Sequence, residues 1–194
     1  MILFDRFKKK EASPAASAAP AVERKPYGPN LIEIARLISR GDEAVLRDLT
    51  ACTGDPTAWY DAHQGQYFER SITSAKDPEL VQWIGLVDIL EEHGWVCERD
   101  WKDELSDFLY FVENLNGFQA LGLYICPDWF DADGDIPAWC KILTEKWTSQ
   151  GVRIAVIGID SDSYVLFPYP VSQLPTLQRL AGEIGQCIDF VEQE

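Results

Sequence analysis

The stretch DPELVQWIGLVDILEEHG, running from Asp77 to Gly94, constrains the fold more than any other. Asp77 is placed to cap a helix, Pro78 suits its first turn, and Gly94 ends it. Between these limits the apolar residues run around most of the circumference instead of along one stripe. Such a helix is stable in water only if other elements surround it, so it belongs in the centre of a core. With 194 residues, 46% of them hydrophobic, the chain can supply one core of good size.

The rest of the chain provides those surroundings. From Asn30, Leu31, Ile34, Ala35, Leu37 and Ile38 follow helical spacing up to Gly41. Asp42 caps a second helix carrying Val45, Leu46 and Leu49, and Asp55-Pro56 opens a third with Trp59, Tyr60, Tyr67 and Phe68. After Gly94 the pattern changes. Trp95-Val96-Cys97 reads as a short strand, Lys102 to Leu115 as an amphipathic helix, and FQALGLYIC (118–126) as a strand. Ile136 to Gln150 is a further helix with Trp139, Ile142, Leu143 and Trp147 on one face. VRIAVIGI (152–159) is nearly continuous and β-branched, the pattern of a strand covered on both faces. Asp160 to Ser163 supplies turn chemistry, Tyr164 to Phe167 returns as a hairpin, and Leu174 to Ile184 closes the chain as a helix.

The expected class is therefore α+β: a helical N-terminal part packed with a small, mainly antiparallel sheet and flanking helices. Residues 1–29 read as a flexible basic tail and an Ala/Pro/Ser linker. Residues 30–194 read as a single α+β domain, helical over 30–94 and mixed over 95–194.

Charge narrows the function. The net charge is -15, and residues 1–26 hold six Lys/Arg against three Asp/Glu while the remainder holds 11 against 29. A body so acidic repels phosphate backbones, which argues against nucleic acid and for a basic protein partner. The apolar and basic residues of 1–10 allow weak contact with an anionic membrane surface, with a plain soluble tail as the simpler alternative. No run approaches the roughly 20 apolar residues of a transmembrane helix. Cys52, Cys97, Cys126, Cys140 and Cys187 are odd in number and form no CxxC pair. They fit reduced, mostly buried thiols in a cytoplasmic protein rather than a disulfide framework or zinc site.

Several segments then combine into a resemblance. These are the apolar helix with Trp83, Leu86 and Leu90, the junction Gly94-Trp95 to Asp100-Trp101-Lys102, the amphipathic helix with Leu105 to Leu115, and the hairpin GIDSDSYVLF at 158–167. Together they resemble a bacterial domain-of-unknown-function family of small cytoplasmic proteins. Its C-terminal part carries an Asp-x-Asp-Ser-Tyr hairpin followed by a short helix. The resemblance spans roughly residues 77–186 and implies an α+β fold without an assigned activity or transferable catalytic residues. By analogy between families, it also implies a likeness to acidic immunity modules that neutralise bacterial toxins.

Three clusters are candidate sites. In WFDADGD, Asp131, Asp133 and Asp135 alternate like calcium-loop ligands. Counted from Asp131, however, the glycine comes two positions early and Ile142 stands where a bidentate acid belongs. Asp135 before Ile136-Pro137 reads more simply as a helix cap. In DSDSY, Asp160, Asp162 and Tyr164 form an alternative polar site, and a metal-dependent hydrolase built on these Asp-x-Asp turns is the rival function. Asp and Ser at such a turn also accept local backbone hydrogen bonds without further purpose.

The third cluster is the leading one. Trp101 and Trp129 sit beside charged turns with Asp100, Asp103 and Asp128, and residues 88–135 hold 13 acids against two bases. Aromatic residues ringed by acids suit an interface for a basic protein. With two histidines, no nucleophile elbow and no phosphate loop, the expected function is non-catalytic protein binding. No cofactor is expected.

Overall fold

The computed structural model describes residues 27–191. The basic tail and its membrane contact lie outside them. Burial alternation along strand β2 (Val152–Ile157) decides the architecture. Val152, Ile154 and Val156 point into one apolar cluster, whereas Ala155 and Ile157 point into another. The strand is thus covered on both faces, as its β-branched run predicts.

The first cluster is roofed by α6 (Leu105–Glu113), α7 (Asn116–Ala120) and α8 (Ile136–Trp147). The second is built from α1 (Tyr27–Ile38), α2 (Glu43–Gly54), α5 (Pro78–Glu92) and α9 (Leu174–Glu183). Between them lies a four-stranded sheet in the order β1-β3-β2-β4, antiparallel throughout, with β1 at Cys97–Asp100, β3 at Ser163–Pro170 and β4 at Ile188–Phe190. The result is an α+β fold of three layers, with helices from the first part of the chain sharing one core with the late strands.

Helix α5 sits where its sequence requires. Of residues 81–90 only Asp88 escapes full burial. The Asp77 carboxylate accepts the Leu80 amide at 3.0 Å and caps the helix. Trp83 donates its indole N–H to the Gly158 carbonyl at 2.8 Å, which ties α5 to the end of β2. Among the described residues no helix is long and apolar enough to cross a membrane.

Four expectations need correction. Residues 118–126 are not a strand: α7 ends at Ala120 and Gly122 adopts φ 61°, which breaks the extended run. The segment still buries Phe118, Leu123 and Ile125, but its Tyr124 carbonyl is satisfied by the Trp147 indole at 3.0 Å rather than by a neighbouring strand. Apolar runs this short do not distinguish strand from buried coil. The third helix is divided at His63 into α3 (Pro56–Ala62) and α4 (Gln64–Glu69), leaving Phe68 exposed. The short strand begins at Cys97 and runs to Asp100 instead of covering 95–97.

The returning strand of the hairpin, expected over 164–167, continues through Pro168 to Pro170. Proline cannot donate to a ladder, and here it does not have to. β1 pairs with β3 only over Ser163 to Leu166, so beyond Leu166 that side of β3 has no strand neighbour among the described residues.

Candidate functional site

The β1 side of the molecule gathers most of the chemistry. The end of α4, the C-terminal half of α5, β1 and the β2–β3 turn enclose three depressions of about 570, 660 and 490 Å³. The first two share Glu69, Arg70, Glu98 and Ser163, and the last two share Ser161, Asp162 and Ser163. They therefore form one groove. Among the described residues its carboxylates are Glu69, Asp88, Glu91, Glu92, Glu98, Asp100, Asp160 and Asp162, and its one cation is Arg70.

Arg70 is already occupied. Its guanidinium donates to Asp88 Oδ1 at 2.8 Å and pairs with Glu98 Oε2 at 2.5 Å, with all three side chains no more than about one-fifth exposed. This ties α4, α5 and β1 together. Burial disfavours the charged Arg70, but Glu98 and Asp88 outweigh it and hold its pKa above the ordinary value. Burial pushes the Asp88 carboxyl up, with Arg70 opposing only in part. Glu91 is also raised by burial, although its Oε1 accepts the Glu98 amide at 2.9 Å. The groove thus keeps an excess of carboxylates that no cation of its own neutralises.

The turn that closes the groove is local hydrogen-bond chemistry. Asp160 adopts φ 52°, a region Asp tolerates better than most residues, and Ser161 Oγ accepts the Ser163 amide at 3.2 Å. Asp160 and Asp162 are left exposed at its rim. Trp101, 52% exposed, stands beside them with Tyr164 in the third depression. The Lys102 ammonium lies 4.7 Å from the Trp101 ring centroid, so its indole face already receives one cation.

Structure therefore joins two clusters that lie apart in sequence: Asp100 and Trp101 with Asp160, Asp162 and Tyr164. It does not bring the other sequence candidates to this groove. Asp103 pairs with Arg99 at 3.1 Å, while the Arg99 guanidinium stacks 3.7 Å above Phe111. Trp129 is half-buried, edge-on to Tyr124 and 5.1 Å from the Lys146 ammonium. Asp128 is exposed next to it and lines none of the three depressions.

The WFDADGD segment is a capped turn. Asp131 Oδ1 accepts the Asp133 amide at 3.0 Å, its carbonyl accepts the Trp139 indole at 2.8 Å, and Asp135 Oδ1 caps α8 at the Ala138 amide at 2.9 Å. Among the described residues no three His, Cys, Asp or Glu side chains converge in a metal-holding arrangement.

Sequence reasoning missed Glu69, Arg70, Asp88, Glu91 and Glu98. One signal was present: Asp88 is a lone carboxylate amid the apolar residues of α5. A charge in such a place needs a partner, but nothing in the order of residues named Arg70.

Comparison with known proteins gives one match. A family model described as a domain of unknown function, DUF6630, matches residues 30–191, most of the chain. No curated protein and no solved structure matches. The chain belongs to the DUF6630 family.

Proposed function

With membership of a family that has no assigned activity as the starting point, we propose that the chain is a non-catalytic protein-binding module. Its acidic groove receives a basic segment of a partner protein, and Trp101 is the aromatic anchor at the groove's edge. One observation carries this reading: eight carboxylates line a continuous groove whose single cation, Arg70, is already held by two of them. A Lys or Arg side chain entering the groove meets uncompensated negative potential, and its aliphatic stem can lie along the half-exposed Trp101. A basic toxin, as the immunity-like resemblance implies, is one partner of this kind.

The test uses a fluorescein-labelled peptide rich in Arg and Lys, with an acidic peptide of equal length as control. Anisotropy should report saturable binding of the basic peptide alone, weakening as added salt shortens the screening length below about 10 Å. Trp101→Ala should cost about 2 kcal/mol of binding while leaving the melting temperature unchanged. Asp100→Asn combined with Asp162→Asn should weaken binding about tenfold, and Asp128→Asn should not. Equal weakening by Asp128→Asn would reduce the effect to net charge and remove the groove from the account.

A further inference from the structure

A second cavity has the opposite character. At the Pro170 end of β3, where β1 no longer pairs, the last turn of α1, α7 and residues 168–170 enclose about 330 Å³. Leu37, Leu121, Pro168 and Pro170 form an apolar wall, the charged residues are Arg36 and Arg40, and no carboxylate lines it. In a chain with a net charge of -15, a cavity lined by two arginines and, among the described residues, by no acid is an unusual local choice. Arg36 makes only a half-exposed contact with Glu33 at 3.4 Å, and Arg40 forms no ion pair among the described residues.

Two unspent donors belong to residues at or next to these walls. Among the described residues two buried side-chain hydroxyls have no hydrogen-bond partner, Ser39 Oγ and Tyr169 Oη. Tyr169 lines the cavity, and Ser39 lies in the chain between two lining residues, Ile38 and Arg40. The two residues are 1% and 4% exposed, and leaving a buried group of this kind unpaired costs about 1–3 kcal/mol. Burial pushes the Tyr169 hydroxyl up to about 12, which keeps it a neutral donor at physiological pH. A cation in the last turn of α1 is favoured by the helix dipole alone. The dipole does not call for a cavity beside that cation.

We propose that this cavity is a binding site for a small organic anion, whose apolar body lies on Leu37, Leu121 and Pro168 and whose acidic group takes Arg36 and Arg40. The volume is at the lower end of the range for small-molecule pockets, which suits a ligand of one ring or a short chain. The site is independent of the acidic groove, which shares none of these residues.

Titration calorimetry of the full chain tests it with benzoate and phenyl phosphate, and with benzyl alcohol as the uncharged ligand of similar shape. At least one of the two anions should bind saturably and about tenfold more tightly than the alcohol. Which anion wins distinguishes a carboxylate from a phosphate ligand. Arg36→Gln combined with Arg40→Gln should weaken the anion about tenfold or more, and Arg36→Lys with Arg40→Lys should recover part of that loss. Leu121→Trp, which fills the cavity without changing charge, should abolish binding, and thermal melting confirms that each variant is folded. The proposal is overturned if neither anion saturates by about 20 mM, if benzyl alcohol binds equally well, or if a folded Leu121→Trp variant still binds.

Discussion

The two ends of β3 differ in almost every physical respect. Towards the Ser163 end the strand gains β1 as a neighbour, with β1 and β2 both present at Val165 and Leu166. There it borders a groove whose one cation among the described residues is already claimed. At the Pro170 end it is paired on one side only, and it borders a cavity with two arginines and no acid. One strand of eight residues therefore separates opposite electrostatic environments. Net charge alone conceals this, because it averages over both environments.

The ends should also differ in how much stability their charges carry, and Arg70→Ala is the sharpest probe. It leaves Asp88 and Glu98 largely buried without their cation, and should lower the unfolding free energy in urea by about 3 kcal/mol. Arg40→Ala at the opposite end should change it by less than about 0.5 kcal/mol. Similar losses at the two sites would erase the distinction between a structural ion network and an exposed, ligand-facing one.

Trp83→Phe probes the paired end through its backbone. It removes the hydrogen bond to Gly158 and some buried volume, with an expected cost of about 2 kcal/mol. Tyr169→Phe tests the unpaired end with the opposite sign. Removing a buried hydroxyl that has no partner should leave stability unchanged or raise it by up to about 1 kcal/mol. A clear loss in the melting temperature would mean that the hydroxyl is satisfied in solution.

The smallest effect concerns pH. The Asp88 carboxyl is raised in the folded state, so folding holds its proton more tightly than the unfolded chain does. Its ionised form therefore costs stability, and that cost disappears as pH falls through the raised folded value towards the ordinary carboxylate value. Compared with Asp88→Asn, the wild type should gain stability by less than about 1 kcal/mol between about pH 7 and pH 4. Wild type and variant with parallel pH profiles would show that Arg70 fully offsets the burial.

Most of the layering was legible in sequence because it depends on periodicity. The all-round apolar α5, the β-branched β2 and the caps at Asp42, Asp77 and Asp135 are local patterns with local causes. Residues 118–126 failed for the same reason in reverse. Their burial was readable, but whether a strand would pair with them was a tertiary matter, and Gly122 and the Trp147 indole decided it. β4 escaped notice because three residues carry too little pattern. The groove was half legible. Asp100, Trp101, Asp160 and Asp162 stood out by composition, while Arg70 and Asp88 acquire meaning only when α4 is laid against α5. Trp129 and Asp103 looked equivalent to Trp101 and Asp100 in sequence, and only the fold separates them. Trp129 is half-buried against Tyr124 and Asp103 is paired with Arg99, both away from the groove.

The contact between α1 and α9 also has a consequence in time. Asn30 donates to the Leu180 carbonyl at 3.0 Å and to Glu183 Oε2 at 3.0 Å, across a sequence separation of 150 residues in the first case. A ribosome adding about 5–20 residues per second leaves α1 waiting on the order of ten seconds for that partner. During this interval Leu31, Ile34 and Ile38, all buried in the finished molecule, lack part of their cover. Among the described residues α1 is the first helix along the chain, yet it is among the last to be completed.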